Sequence, residues 1–257
     1  MHIPTLAPDT IFRLGDFPIT NTMINAWIAI LIFLILGIII KKRVSLKPSK
    51  IQNFIEYFLD ILLNYFDQVT GDRKKTMRFL PLVGSVFFFI LISNWIGLLP
   101  GIGSITWDNK MLFRPSNTDL NLTVAMALTS VFLSHIMGLF AVGFFAYLNK
   151  FVQIGSLVKS FRKGPIAIFT AIIELAVGFL EIISEMAKVL SLSLRLFGNI
   201  FAGEVLMSVM ISLVAFLVPT PFMLLEVLVG VIQAGVFSML TLVYLTVATS
   251  KPHGEET

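Results

Sequence analysis

Long apolar runs alternate with short clusters of charge along this chain. Residues 23–40 form an apolar run closed by Lys41, Lys42 and Arg43. This predicts a first spanning helix, entering the membrane near Trp27 and stopped by the basic cluster. In residues 48–70 the pattern changes. Ile51, Phe54, Ile55, Phe58, Leu59, Leu62, Phe66 and Val69 recur at helical spacing, Gln52, Asn53, Glu56, Asp60, Asn64 and Asp67 fill the other face, and Gly71 suits the stop. Such a helix lies on a membrane surface or against a partner and does not span. A second basic cluster, Asp72 to Arg78, precedes a predicted span over 79–99, with Pro81 in its first turn and Pro100-Gly101 at its end. A polar, turn-rich connection over 101–119 leads to a further span over 122–148, which carries His135. Residues 1–22, punctuated by Pro4, Pro8 and Pro18, read as an irregular lead outside the membrane.

From 165 to 218 the chain is helix-compatible almost without interruption. A helix of that length would reach roughly 80 Å, against about 30 Å of hydrocarbon. The segment is therefore expected to be one long helix, or two nearly collinear ones, strongly tilted, curved or partly in the interface, and wetter in its first half, where Glu174, Glu181, Glu185 and Lys188 fall. Val218-Pro219-Thr220-Pro221 reads as a tight turn, with Thr220 capping a last helix over 221–249. Glu226, Gln233 and Tyr244 form the inward polar face of that helix.

The fold class that follows is an all-α integral membrane protein in a single membrane domain, 1–257. It has five crossings, one interfacial amphipathic helix, and a long, tilted last pair of membrane helices. Composition agrees: 56% of the 257 residues are hydrophobic and 13% charged, with a mean hydropathy of +0.90. The formal charge of +4 suits loops facing an anionic leaflet rather than nucleic acid. With no cysteine there is no disulfide or thiol chemistry. Nine Lys and Arg fall between Lys41 and Arg78, four between Lys150 and Lys163, and one at Lys251, while only Arg13, Lys110 and Arg114 lie on the opposite side. The positive-inside rule then puts the N-terminus outside and the C-terminus in the cytoplasm. The first hydrophobic segment is expected to serve as an uncleaved insertion signal.

One polar thread interrupts the greasy sequence: Lys188, Ser191, Arg195 and Asn199, on one side of a helix. An arginine at bilayer depth costs roughly 2.5–3.5 kcal/mol on insertion scales. Either it snorkels to the headgroups or it meets a carboxylate from another helix or chain. No acidic residue lies within a turn of it: Glu204 is nine residues on, about 180° away, and Glu181 is fourteen back, about 21 Å along the axis. By the same arithmetic Glu204 looks back toward the rest of the chain. Counted from the turn, it lies about 21 Å away and Glu226 about 8 Å, so the two meet only if the helices are offset. If they meet, like charges favour their sharing a proton. Two separately hydrated carboxylates in one water-filled cavity are the alternative. His135 reads either as a packed, hydrogen-bonded residue or as one that handles protons.

Arg195-Leu196-Phe197-Gly198-Asn199, followed by Ala202-Gly203-Glu204, resembles the signature of subunit a of the F-type ATP synthase. Phe17-Pro18-Ile19-Thr20-Asn21-Thr22, Gln52-Asn53-Phe54, the stretch from Asn94 to Gly101, and Gln233-Ala234 are also similar to family patterns. The resemblance implies a stator subunit beside a rotating ring of c subunits, joined by peripheral-stalk b subunits in the complete complex. Arg195 would face the ring carboxylate between two offset half-channels. Asn199, Glu204, Glu226 and Gln233 match positions of one proton path, Glu181 and Lys188 match positions near the other half-channel, and Ser191 is counted with the proton path. Many relatives carry a histidine where Glu204 or Glu226 stands. The resemblance also points to a bacterial inner membrane, and no cofactor or metal is expected.

Two other classes fit intramembrane charge alone: a secondary transporter with its own substrate site, and a scaffold whose charges only lock helices. No internal repeat or broken helix pair favours the transporter. The sequence has no phosphate loop, zinc spacing or nucleophile elbow, so nucleotide chemistry falls to partner subunits.

Overall fold

The computed structural model describes residues 5–99, 101–108, 110–144, 147, 165–213 and 219–250. The expected lead is not wholly irregular. β1 (Thr10–Leu14) and β2 (Phe17–Thr20) form an antiparallel hairpin around Gly15-Asp16, with Gly15 at φ +66°. Pro18 is tolerated because each strand of a two-stranded ribbon has a free edge. Helix α1 (Asn21–Arg43) starts directly from β2, and the Thr20 hydroxyl accepts from the Met23 N–H. Only its first turns are buried, at Asn21, Thr22, Asn25, Ala26 and Ala29. Beyond them Leu31, Leu34, Ile35, Ile38 and Ile39 stand exposed, as suits a lipid-facing shaft.

Helix α2 (Lys50–Thr70) follows its predicted range, with Ser49 as N-cap and Gly71 left-handed at φ +66° as its stop. It buries Leu62, Leu63 and Phe66 against the bundle, while Ile51, Phe54 and Tyr57 remain exposed. Helix α3 (Arg73–Leu98) begins earlier than its hydrophobicity suggests. Asp72 caps it by accepting from the Lys74 N–H, so the basic cluster forms its first turns and Pro81 lies in the interior rather than in the first turn. Arg73 reaches back to Asp67 at 2.7 Å and fixes the α2–α3 corner.

The connection between spans is more ordered than its composition suggests. It contains a two-residue ribbon, β3 (Thr106–Trp107) with β4 (Lys110–Met111), and a 3-10 turn at Ser116–Thr118. Arg114, Ser116, Asn117, Thr118 and Asp119 are all buried. Helix α4 (Leu120–Val142) is capped by Asp119 and ends before Gly143, at φ +97°, short of the expected 148.

Helix α5 (Pro165–Leu213) is one continuous helix of 49 residues, about 74 Å long. Helix α6 (Pro219–Thr249) begins two residues before the predicted start, so Thr220 lies inside it and is not its cap. The basic loop residues Lys150, Lys159, Arg162 and Lys163, the turn residue Val218, and the tail from Lys251 lie outside the described residues. Among the described residues, α1, α3, α4 and α6 are long and apolar enough to cross a membrane.

The core lies where α2, α3, α4, α5 and α6 meet. Phe66, Val83, Phe87, Ile90, Ala127, Leu192, Leu196, Ile200, Ala234, Phe237, Leu242 and Leu245 form its buried cluster. On α5 the buried positions Leu192, Leu196, Ile200 and Gly203 recur at steps of four and three. That phase fixes which face of α5 is left outside.

Candidate functional site

The outward face of α5 carries small side chains and one charge. Ser191, Arg195, Gly198 and Ala202 follow one another at steps of four, three and four and are all exposed. Arg195 is thus a lone cation on a strip of small residues, with no hydrogen bond or ion pair to another described residue. Small residues let a neighbouring helix approach closely. The polar thread expected on one side of α5 is divided. Ser191 and Arg195 look outward, Asn199 reaches α6, and Lys188 turns toward α4 and α6.

Asn199 Nδ2 donates to Gln233 Oε1 at 2.9 Å, so two of the predicted site residues meet. Gln233 is 3% exposed, and its Nε2 has no protein partner among the described residues. Asn94 Nδ2, Asn117 Oδ1, Ser93 Oγ and Ser116 Oγ are likewise buried and unpaired there, although Asn117 Nδ2 does donate to Asn94 Oδ1 at 2.7 Å. Leftover polar atoms of this kind suit internal water.

Glu204 and Glu226 line one cavity of about 440 Å³, together with Asp9, Asn94, Arg114 and Gly203. As the helical arithmetic requires, Glu204 points away from Arg195, and its partner comes from the connection before α4. Arg114 Nε and one terminal nitrogen each lie 3.0 Å from the same oxygen, Glu204 Oε2. Glu226 is 7% exposed and its carboxylate lies against the backbone of Gly203, where a Cβ would overlap it. Glu226 therefore lies against the residue that precedes Glu204 on α5, in the same cavity. The turn from which both distances were counted lies outside the described residues.

Several groups hold Arg114 in place. Asn25 Nδ2 donates to its carbonyl at 2.7 Å, and the Pro115 ring packs onto Gly97 so closely that a Cβ there would clash. The guanidinium also donates to the carbonyls of Ala7 (3.3 Å) and Thr5 (2.8 Å), and its charge lies 5.9 Å from the Phe201 ring centroid.

A second polar group lies further back along α5. Lys188 pairs with Glu185 at 2.6 Å and lies 5.4 Å from the ring centroid of Tyr244. His135 Nε2 is 3.5 Å from Glu185, and its Nδ1 is 2.6 Å from the Tyr147 hydroxyl. These residues surround a void of about 10 Å³, room for about one water. Glu181, the remaining predicted residue, is half-buried one turn before Glu185. Arg195 lies between the two regions, about 10 Å along the axis from Lys188 and 14 Å from Glu204. Among the described residues no cluster of three or more His, Asp or Glu could hold a metal ion.

The model of the family described as ATP synthase A chain matches residues 23–246. The chain belongs to the ATP synthase A chain family. It is 36% identical over 239 residues to ATP synthase subunit a of Moorella thermoacetica, covering 93% of this chain and 94% of that one. The subunit a of Gloeobacter violaceus is 35% identical over 235 residues, covering 91% of this chain and 86% of the relative. That of Geobacter sulfurreducens is 34% identical over 227 residues, with 88% and 86% covered.

The pattern of residues along the chain did not single out Arg114, Asn94, Asn117 or Gly203 as site residues. Arg114 entered only as a charge in the orientation count. The run Arg114-Pro115-Ser116-Asn117-Thr118-Asp119, directly before an apolar span, was the available signal. A cation fixed by a following proline and joined to capping-type residues belongs to a built structure rather than a loose loop.

Proposed function

We propose that this chain is the ion-translocating stator subunit of a rotary F-type ATP synthase. The observation that carries the reading is the placement of Arg195: exposed, unpaired among the described residues, and set on a strip of small residues between two polar regions. A scaffold charge would be satisfied inside the subunit, as Lys188 and Arg114 are. An exposed arginine on a close-approach face instead suits a carboxylate carried past on the c-ring. The cavity at Glu204 and Glu226 serves as the outer half-channel, continued by Asn199 and Gln233. Glu181, Lys188 and Ser191 mark the inner one. Arg195 keeps the two apart by holding the passing carboxylate ionised as it crosses between them.

In this reading α5 supplies the fifth crossing. At about 74 Å it far exceeds the hydrocarbon thickness, so it lies inclined well beyond the usual tilt of about 20°. The N-terminus is outside and the C-terminus cytoplasmic, in a bacterial inner membrane, with the c-ring and the peripheral-stalk b subunits as partners.

The test is ATP synthesis driven by an imposed proton gradient in vesicles containing the purified complex. Arg195→Ala is expected to abolish synthesis while leaving assembly nearly intact. Arg195→Lys is also expected to fail, because a compact ammonium lacks the planar fork that reaches a carboxylate from two sides. Near-normal synthesis by either variant overturns the proposal.

A further inference from the structure

Three carboxylates line the outer cavity, those of Asp9, Glu204 and Glu226, and among the described residues only Glu204 is paired with a fixed cation. We propose that Arg114 is a positioning residue that keeps Glu204 a permanent anion, leaving Glu226 as the group that takes up and releases the transported proton. The inference rests on the reading that this cavity lies on the ion path.

The geometry distinguishes the two glutamates. Arg114 is 4% exposed and directs two nitrogens, each at 3.0 Å, to one oxygen of Glu204. Two of its three remaining N–H groups donate to the carbonyls of Thr5 and Ala7. A guanidinium does not give up its proton in a protein. Protonating Glu204 would therefore leave a buried cation without a counter-charge, the costly half of a broken buried pair. The backbone that carries Arg114 is also fixed, since Asn25 holds its carbonyl and Pro115 is wedged on Gly97. Glu226, by contrast, has no ion pair or hydrogen bond to any described residue. Its carboxylate sits against Gly203, one residue from Glu204 on the same helix.

The charged groups facing the cavity from the elements around it are Asp9 of the lead, Arg114 of the connection, Glu204 of α5 and Glu226 of α6. With Arg114 and Glu204 cancelling, an incoming proton adds reversibly to a Glu226 oxygen. It leaves by the same O–H bond breaking, toward the Asn199–Gln233 pair. No electron moves and no other reactant is consumed.

A double-variant cycle tests this, read as proton flux through reconstituted complexes and its dependence on outer pH. Glu204→Gln alone strands the arginine beside Glu226. It should lower flux and move the pH limb downward, since a nearby cation favours the charged carboxylate. Arg114→Gln alone should move the limb upward by about one unit, whereas Arg114→Lys, which keeps the charge, should leave it nearly in place. Combining Arg114→Gln with Glu204→Gln removes the pair as a neutral whole, and flux should rise about tenfold above the Glu204→Gln variant. A double variant as inactive as Glu204→Gln makes Glu204 itself the carrier and overturns the inference. Wild-type flux in Glu226→Gln overturns the underlying reading instead, because it takes the cavity off the path.

Discussion

Gly203 is the position where a single added carbon separates packing from function. The Cβ of Gly203→Ala would occupy the space now filled by the Glu226 carboxylate. What must yield is the end of a flexible side chain rather than backbone, so the structural cost is small. Moving Glu226 off its rotamer costs about 0.5–1.5 kcal/mol. Replacing an interior helical glycine by alanine returns about 0.8–1.0 kcal/mol. The two nearly cancel, and the assembled complex should keep its thermal stability to within about 1 kcal/mol. Function does not cancel. A reacting group displaced by about 1 Å can lose roughly a hundredfold in rate, so flux should drop about ten- to a hundredfold. The assay is passive proton conduction through reconstituted complexes, alongside thermal unfolding of the same preparation. Adding Glu226→Asp, which withdraws the carboxylate by one methylene, should recover part of the loss. Normal flux in Gly203→Ala, with intact assembly, would refute the reasoning that Glu226 must occupy that site.

Two further glycines sort by what surrounds them. At Gly97 the obstacle is the rigid Pro115 ring, so Gly97→Ala should destabilise by about 1–3 kcal/mol and loosen the Arg114 connection. Thermal unfolding together with protease sensitivity at residues 110–119 would reveal both effects, and an unchanged melting curve would count against the wedge. Gly198 has open space around it on the Arg195 face, so Gly198→Ala should stabilise the isolated subunit by about 1 kcal/mol. In the complete complex the same methyl should impair coupled synthesis, and unimpaired coupling would mean that this strip does not meet a rotor helix.

The elements that periodicity could see were legible in advance. The continuous helix from Pro165, the amphipathic α2 with its Gly71 stop, and the opposed directions of Arg195 and Glu204 all follow from 100° per residue. Boundaries failed where charge was mistaken for loop. Asp72 caps a helix that carries the whole basic cluster, so hydrophobicity placed the start of α3 too late. The lead failed for the opposite reason, because its prolines read as breakers while a two-stranded ribbon accommodates Pro18. The pairing of Arg114 with Glu204 joins residues ninety positions apart, and no local pattern encodes such a choice. The same holds for Asn94 with Asn117 and Asn199 with Gln233.

Because one unbroken helix carries Lys188, Arg195 and Glu204, it acts as a ruler whose length and phase cannot be adjusted separately. Inserting one residue between Arg195 and Glu204 would turn the glutamate by about 100° out of reach of Arg114 while advancing it only about 1.5 Å. Inserting four would nearly restore the direction but slide the carboxylate about 6 Å past its partner. Neither error can be absorbed by a loop, since none lies between these residues. The spacing between the two polar regions is thus fixed by the backbone itself, and this stretch can change its side chains but not its residue count.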